Sequence, residues 1–384
     1  RCVGADDLTL SLFENQYPVQ PMGVSYNSYL ILDEKIAVMD SVDARAADEW
    51  LAKLAHELDG RSPDYLVISH MEPDHSGSIL RLAEKYQEMK LVGNTKTFTM
   101  LRQFFGAKAP TDDRLLEVGE GETLPLGAHT LHFMLAPMVH WPEVMVAYEE
   151  TEKLLFSADA FGRFGALSRT AGAPWAPQAR RYYYNIVGKY GAQVQALLKK
   201  AAALEIETIC PLHGPVLTGE ALGEALRLYD LWSRWQSESP DDILLAHASI
   251  HGNTARAAEL LKQKLEAKGA RVTLCDLTTT EVSYAVANAF YCGKLVLACS
   301  TYDGGLFPPM EEFLSHLQAK GFRDRSVGLM ENGSWAPAAA RLMRAKLEEM
   351  KDLRVCGTVV SLRSALSPAS EAQMDALTTE LCAK

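Results

Sequence analysis

The chain has 384 residues, 48% hydrophobic and 23% charged, enough for two domains with full cores. Its formal net charge of -11 argues against nucleic acid or an anionic membrane as a partner. No apolar run reaches the length of a membrane span, no signal-peptide pattern opens the chain, and the seven scattered cysteines contain no C-x-x-C pair, which fits reduced thiols in a cytoplasm.

Residues 29–32 and 36–40 are apolar runs on either side of Asp33-Glu34-Lys35 and read as a hairpin. Residues 43–58 carry Trp50, Leu51, Leu54 and Leu58 at helical spacing. Residues 65–69, bounded by Pro63 and Asp64, read as a buried strand. It runs into His70-Met71-Glu72-Pro73-Asp74-His75, two imidazoles and two carboxylates within six residues. Such clusters of nitrogen and oxygen donors mark metal sites. Pro73 is expected to keep a regular helix out of the cluster. A helix over 79–86 and further alternation to Phe133 fit two packed sheets with helices outside them.

Three more potential ligands each follow a strand-like run beside Gly or Pro. They are His140 after 130–135, Asp159 after 153–156, and His213 after 207–209. His56, His129, His132, His247 and His316 need no function. Residues 188–204 and 222–235 read as helices, and the polar, Pro-containing stretch 236–242 as a linker. The boundary is expected between 1–240 and 241–384.

Beyond it, strands over 243–248, 271–276, 294–299, 326–330 and 355–360 alternate with helices over 253–268, 310–320, 338–350 and 367–381. This pattern implies a doubly wound five-stranded parallel sheet. Three loops at strand ends carry the candidate chemistry. Ser249-Ile250-His251-Gly252-Asn253-Thr254 is small and hydroxyl-rich at a helix start, suited to a phosphate without a lysine. Ser300-Thr301-Tyr302-Asp303-Gly304-Gly305 and Glu331-Asn332-Gly333-Ser334-Trp335-Ala336 set aromatic and backbone groups for a flat ring. Neither G-x-G-x-x-G nor G-x-x-x-x-G-K-[ST] is present in the first loop, which disfavours a dinucleotide or nucleoside triphosphate site.

The H-x-E-x-D-H string resembles the H-x-H-x-D-H signature of the metallo-β-lactamase fold, with Glu72 in place of the second histidine. A hard anionic oxygen there moves the preference from zinc towards iron. The form with glutamate is similar to that of flavodiiron proteins, as are the strings H-W-P, D-A-F-G and P-L-H-G-P around His140, Asp159 and His213. The first loop of the second half looks like the FMN phosphate loop of flavodoxins.

This resemblance implies an N-terminal metallo-β-lactamase-like αββα sandwich and a C-terminal flavodoxin-like domain. His70, Glu72 and His140 would hold one iron, Asp74, His75 and His213 the other, and Asp159 would bridge them. His70 is the ligand that some relatives leave unbound. One tyrosine of Tyr182, Tyr183 and Tyr184 would reach the pocket. The family more often has Asn at the position of Asp303 and Pro near Thr301.

The implied activity is that of a reductase. Electrons would pass from a rubredoxin, or another electron-donor protein, through FMN to the diiron site, which reduces dioxygen to water or nitric oxide to nitrous oxide. The implied assembly is a head-to-tail homodimer, or a tetramer built from it. The alternatives are a zinc hydrolase with an attached flavodoxin domain, and an electron carrier without catalysis.

Overall fold

In the computed structural model, residues 1–383 are described. Contacts divide the chain into two compact units, Arg1–Asp230 and Leu231–Lys384.

The first unit is a sandwich of two sheets. One has the order Tyr29–Ile31, Ala37–Met39, Tyr65–Val67, Lys90–Gly93 and Leu115–Glu117. Its first pair is antiparallel and the rest are parallel. The other runs Thr123–Pro125, Thr130–Leu135, Met145–Glu149, Leu154–Phe156, Thr208–Cys210 and Leu217–Thr218. Alternate side chains of both sheets, among them Met39, Val67, Val92, Leu131, Phe133, Met145 and Phe156, meet in one core. Val38, Leu66 and Leu91 point to the opposite face and are also fully buried, so that face is covered too. The helix Ala47–Leu58 contributes buried Trp50, Leu54 and Leu58, the stripe expected from its periodicity apart from half-buried Leu51.

Strand direction puts the expected ligands on one edge. Thr130–Leu135, Leu154–Phe156 and Thr208–Cys210 all run the same way in their sheet, so His140, Asp159 and His213 leave from the same side. His70 and the residues after it leave from the carboxyl end of Tyr65–Val67, and Met145 N–H donates to Ser69 C=O at 3.1 Å, tying that strand end to the second sheet.

The second unit has one five-stranded parallel sheet. Its spatial order is Val272–Asp276, Ser239–Ala248, Cys292–Tyr302, Ser326–Asn332 and Arg354–Leu362. In order of sequence this is 2-1-3-4-5, the flavodoxin-like arrangement. Ile243, Leu245, Val296, Ala298, Met330 and Val360 pack against Asn253–Ala267 and Pro368–Cys382. Leu244, Leu295, Leu297 and Leu329 on the other face are buried as well. The helices Val282–Tyr291, Pro308–Ala319 and Ala339–Glu348 carry buried Phe290, Phe313 and Met343.

The structure departs from the sequence reading at several points. Ser239 and Pro240 are strand, not linker: Ser239 pairs with Cys292, and a Cβ on Gly293 would fall 2.1 Å from Pro240 C=O, so only glycine admits this approach. The helix before the boundary is Gly219–Ser233. The third strand runs on to Tyr302 and turns back through Asp303 and Gly304, both at positive φ, to pair with Gly305–Leu306. That is the backbone a two-residue Asp-Gly hairpin turn requires. The helix Val282–Tyr291 had no counterpart in the sequence reading. Among the described residues, no helix is long and apolar enough to cross a membrane.

Candidate metal centre and flavin cavity

Pro73 does not keep helix out of the first cluster. It takes the first position of a short helical turn, Pro73–Ser76, where its missing N–H costs nothing. The turn carries Asp74 and His75, while Glu72, just outside it in extended backbone, is left free to point elsewhere.

The seven expected residues converge as two neighbouring groups: His70, Glu72, His140 and Asp159, and Asp74, His75 and His213. His140 Nε2 lies 3.0 Å from Glu72 Oε2, and His70 Nε2 lies 3.2 Å from the same oxygen. On the other side, Asp74 Oδ2 is 3.2 Å from His75 Nε2 and 3.3 Å from His213 Nε2. Asp159 stands between the groups. Its Oδ2 faces His140 Nε2 at 3.1 Å and His70 Nε2 at 3.4 Å, and its Oδ1 faces His75 Nε2 at 3.2 Å and His213 Nε2 at 3.6 Å.

Neighbouring groups fix which nitrogens point inward. His213 Nδ1 donates to Ser25 C=O at 2.7 Å and His70 Nδ1 to Glu143 Oε1 at 2.7 Å. In a neutral imidazole the other nitrogen then carries the lone pair. His213 Nε2 and His75 Nε2 face each other at 3.1 Å, and Asp74 Oδ1 and Asp159 Oδ1 are buried without a hydrogen-bond partner. Buried carboxylates left this way are costly unless a cation completes them, so the donor set fits metal ions. Without one, protons take that place. Burial works against a charged His70, but Glu143 and Glu72 carry its pKa up to about 9. His140 is likewise carried up to about 10 against its burial by Asp159 and Glu72. Binding a cation would expel those protons.

Several supporting residues gave no sequence signal. Asp40 Oδ1 accepts Ser69 N–H at 2.7 Å and His70 N–H at 3.3 Å, which fixes the strand exit. Asn27 Nδ2 donates to Pro211 and Gly214 carbonyls, which fixes the His213 loop. Gly214 sits at φ +81°, with Arg163 where a Cβ would go. Tyr182 packs its ring 5.5 Å from that of His213, and its hydroxyl is buried without a partner. Tyr183 packs instead against Tyr229. His129 and His132 pair with Asp33 and Glu150, away from the cluster. A cavity of about 550 Å³ lined by Leu12, Phe13, Glu14 and Tyr26 reaches Glu72 and Asp74.

In the second unit a cavity of about 520 Å³ lies at the carboxyl ends of the strands, a size suited to one cofactor. All the residues expected from the three loops line it except Gly252, Gly305 and Glu331. Glu331 is occupied structurally, accepting from Ala340 N–H and Ser361 Oγ. Ser364, beyond the fifth strand, lines it and was not expected. Thr254 Oγ1 is hydrogen-bonded to Ser300 Oγ at 2.8 Å and accepts from Asn332 Nδ2 at 3.3 Å, so one hydroxyl links the three loops. Thr301 Oγ1 accepts from Ala338 and Ala339 N–H, which gives the residue at this unusual position a helix-capping job. A lining of hydroxyls, a helix start and the aromatic rings of Tyr302 and Trp335 suits a phosphate and a flat ring.

A family model described as ODP family beta lactamase matches residues 24–214. The chain is 28% identical to the rubredoxin-oxygen oxidoreductase of Megalodesulfovibrio gigas, over 91% of this chain and 87% of that protein. It is 27% identical to the nitric oxide reductase of Moorella thermoacetica, over 91% of this chain and 88% of that one. The solved structure of rubredoxin oxygen:oxidoreductase from Desulfovibrio gigas matches with a TM-score of 0.91 at 26% identity, covering 99% of this chain and 95% of that one.

Proposed function

The chain belongs to the flavodiiron proteins, and on that premise we propose that it carries electrons from a donor protein through FMN to a diiron centre that reduces dioxygen to water or nitric oxide to nitrous oxide. It is an oxidoreductase. The observation that carries the reading is Asp159, whose two oxygens face two separate sets of ligand atoms. His70, Glu72 and His140 would hold one iron and Asp74, His75 and His213 the other. When bound, the irons supply open coordination positions and two electrons, and reduced FMN two more, the four that dioxygen needs.

The chain's own part is positioning and exclusion of water. Ser25 and Glu143 set the tautomers of His213 and His70. His70, His75 and His213 are fully buried, so these imidazoles are shielded from water, and the cavity lined by Phe13 and Tyr26 reaches the cluster at Glu72 and Asp74. Tyr182 Oη, unpartnered beside His213, is available to donate a hydrogen bond to substrate. A zinc hydrolase is the weaker reading, because Glu72 replaces a nitrogen donor and a hydrolase has no use for the flavin cavity.

The donor is a rubredoxin on this reading, and the protein is cytoplasmic, in keeping with scattered cysteines that form no C-x-x-C pair. The assembly is a head-to-tail dimer. Trp335, 87% exposed, stands with exposed Tyr302 and Ile250 around the flavin cavity, and exposed Leu12 borders the cavity that reaches Glu72. Apolar side chains at both mouths suit one copy's flavin facing its partner's irons.

Stopped-flow mixing of the reduced protein with dioxygen or nitric oxide tests the activity. Flavin reoxidation with at least one gas should be far faster than in the Asp159→Asn variant; equal rates in both proteins contradict the reading. A heterodimer of Asp159→Asn with a chain altered at Ser249 and Thr254 tests the assembly. Regained activity supports transfer between chains, and none contradicts it.

A further inference from the structure

One buried carboxylate beside the cluster is not among its ligand atoms. Glu143 is 1% exposed. Its Oε1 accepts from His70 Nδ1 at 2.7 Å and from Met71 N–H at 2.9 Å. Its Oε2 is buried with no hydrogen-bond partner. Among the described residues its only charged partner is His70. If its task were only to satisfy Met71 N–H, a neutral amide would serve without the cost of an ionised group in the interior. The charge becomes useful if it acts through the imidazole on a cation at Nε2. An anionic acceptor on Nδ1–H makes the ring a stronger ligand and fixes its orientation.

The surrounding frame supports the same task. Glu143 lies three residues after His140 in the loop between Thr130–Leu135 and Met145–Glu149. That loop is closed by Ala136 N–H to Val144 C=O at 2.8 Å. It is anchored from outside by Asn94 Nδ2 donating to Glu143 C=O at 2.6 Å. Trp141, from the same loop, meets His70 edge-on at 5.3 Å between ring centres. One short loop thus supplies His140 to the first metal and boxes in His70, another ligand of that metal.

We propose that Glu143 is a positioning residue that locks His70 in its ligating orientation, so that in this chain His70 is a working ligand of the first metal and depends on Glu143 to be one. The inference rests on the diiron reading but reaches beyond it. It names a residue outside the ligand set on which the first metal depends.

The test is release of metal from the purified full-length protein to a chelator, with iron and FMN counted per chain. The variants are Glu143→Gln, close in volume, then Glu143→Ala, Glu143→Asp and His70→Asn. Circular dichroism and FMN content confirm that each has folded. In Glu143→Gln and Glu143→Ala, one metal should be released about 10- to 100-fold more readily than in the wild type, while the other stays. Glu143→Asp should recover part of the retention. His70→Asn should show the same loss of one metal, and the double variant should be no worse than either single one. Retention of both metals in Glu143→Gln, equal loosening of both, or additive losses in the double variant would overturn the proposal. If the wild type holds zinc, the diiron reading fails, and the same release measurement on zinc still decides the role of Glu143. If it holds no metal, both fall.

Discussion

The candidate metal cluster of the first unit and the candidate flavin cavity of the second both sit at the carboxyl ends of strands, but they are built from different materials. In the first, seven ionisable side chains are drawn from four strand ends, mostly fully buried, and held by residues far away in sequence: Ser25 for His213, Asp40 for the His70 backbone, Glu143 for its ring. In the second, the lining is mainly hydroxyls, backbone and exposed aromatics. Charge explains the difference. Clustered buried charges are tolerated only in a fixed geometry with a cation, whereas a flavin's flat ring and phosphate can be held by many modest contacts. The first site should therefore fail abruptly when one group changes, and the second gradually.

The sharpest contrast is expected at Asp159. Asp159→Asn leaves both ligand sets without the carboxylate between them. Iron content should collapse and gas reduction fall to background, while FMN content per chain stays at the wild-type level. Loss of FMN in parallel would erase the distinction between the sites. Glu72→His restores a nitrogen donor at one position and should exchange iron for zinc, read as the iron-to-zinc ratio after expression with both metals supplied. Unchanged iron content and turnover would refute the account of this residue.

The second unit should survive alone, and be more stable when it starts at Leu231, where contacts divide the chain. A fragment from Leu231 keeps Ser239 paired with Cys292 and Trp235 C=O as an acceptor for the buried Arg325 at 2.8 Å. A fragment from Asp241, cut at the boundary suggested by composition, loses both. The longer fragment should bind FMN and be more stable by about 2 kcal/mol in urea titration, the order of one hydrogen bond to a charged group. Equal stabilities would show that residues 231–240 contribute nothing. The smallest effect belongs to Thr254→Val. It removes the hydroxyl shared with Ser300 and Asn332 and should weaken FMN binding by about 1 kcal/mol, roughly fivefold, without touching the metals. Complete loss of FMN would mean that this site, too, fails abruptly.

The same contrast explains what could be read from the sequence. The residues that converge in the cluster were legible because the H-x-E-x-D-H string is dense and chemically unusual, and the alternation after residue 240 was legible because crossover helices leave a regular period. Glu143, Asp40 and Asn27 were not, since each acts through one hydrogen bond to a distant partner and has no local pattern. Pro73 was misread because proline is excluded from helix interiors but favoured at their first position. The helix Val282–Tyr291 was missed because it is buried nearly all round, with Ser283, Ala285, Val286, Ala287, Ala289 and Phe290 inside, and so has no amphipathic stripe. Ser364 gave no signal because one serine after a strand looks like any other turn.

Both proposed sites together require that one chain hold two irons and one FMN. Metal and flavin analysis of the purified protein, with Mössbauer spectra of iron-57-enriched samples, tests it most directly. About two irons and one FMN per chain are expected, with the two irons coupled through their shared site. Two zinc ions per chain, or FMN with no metal, would contradict it.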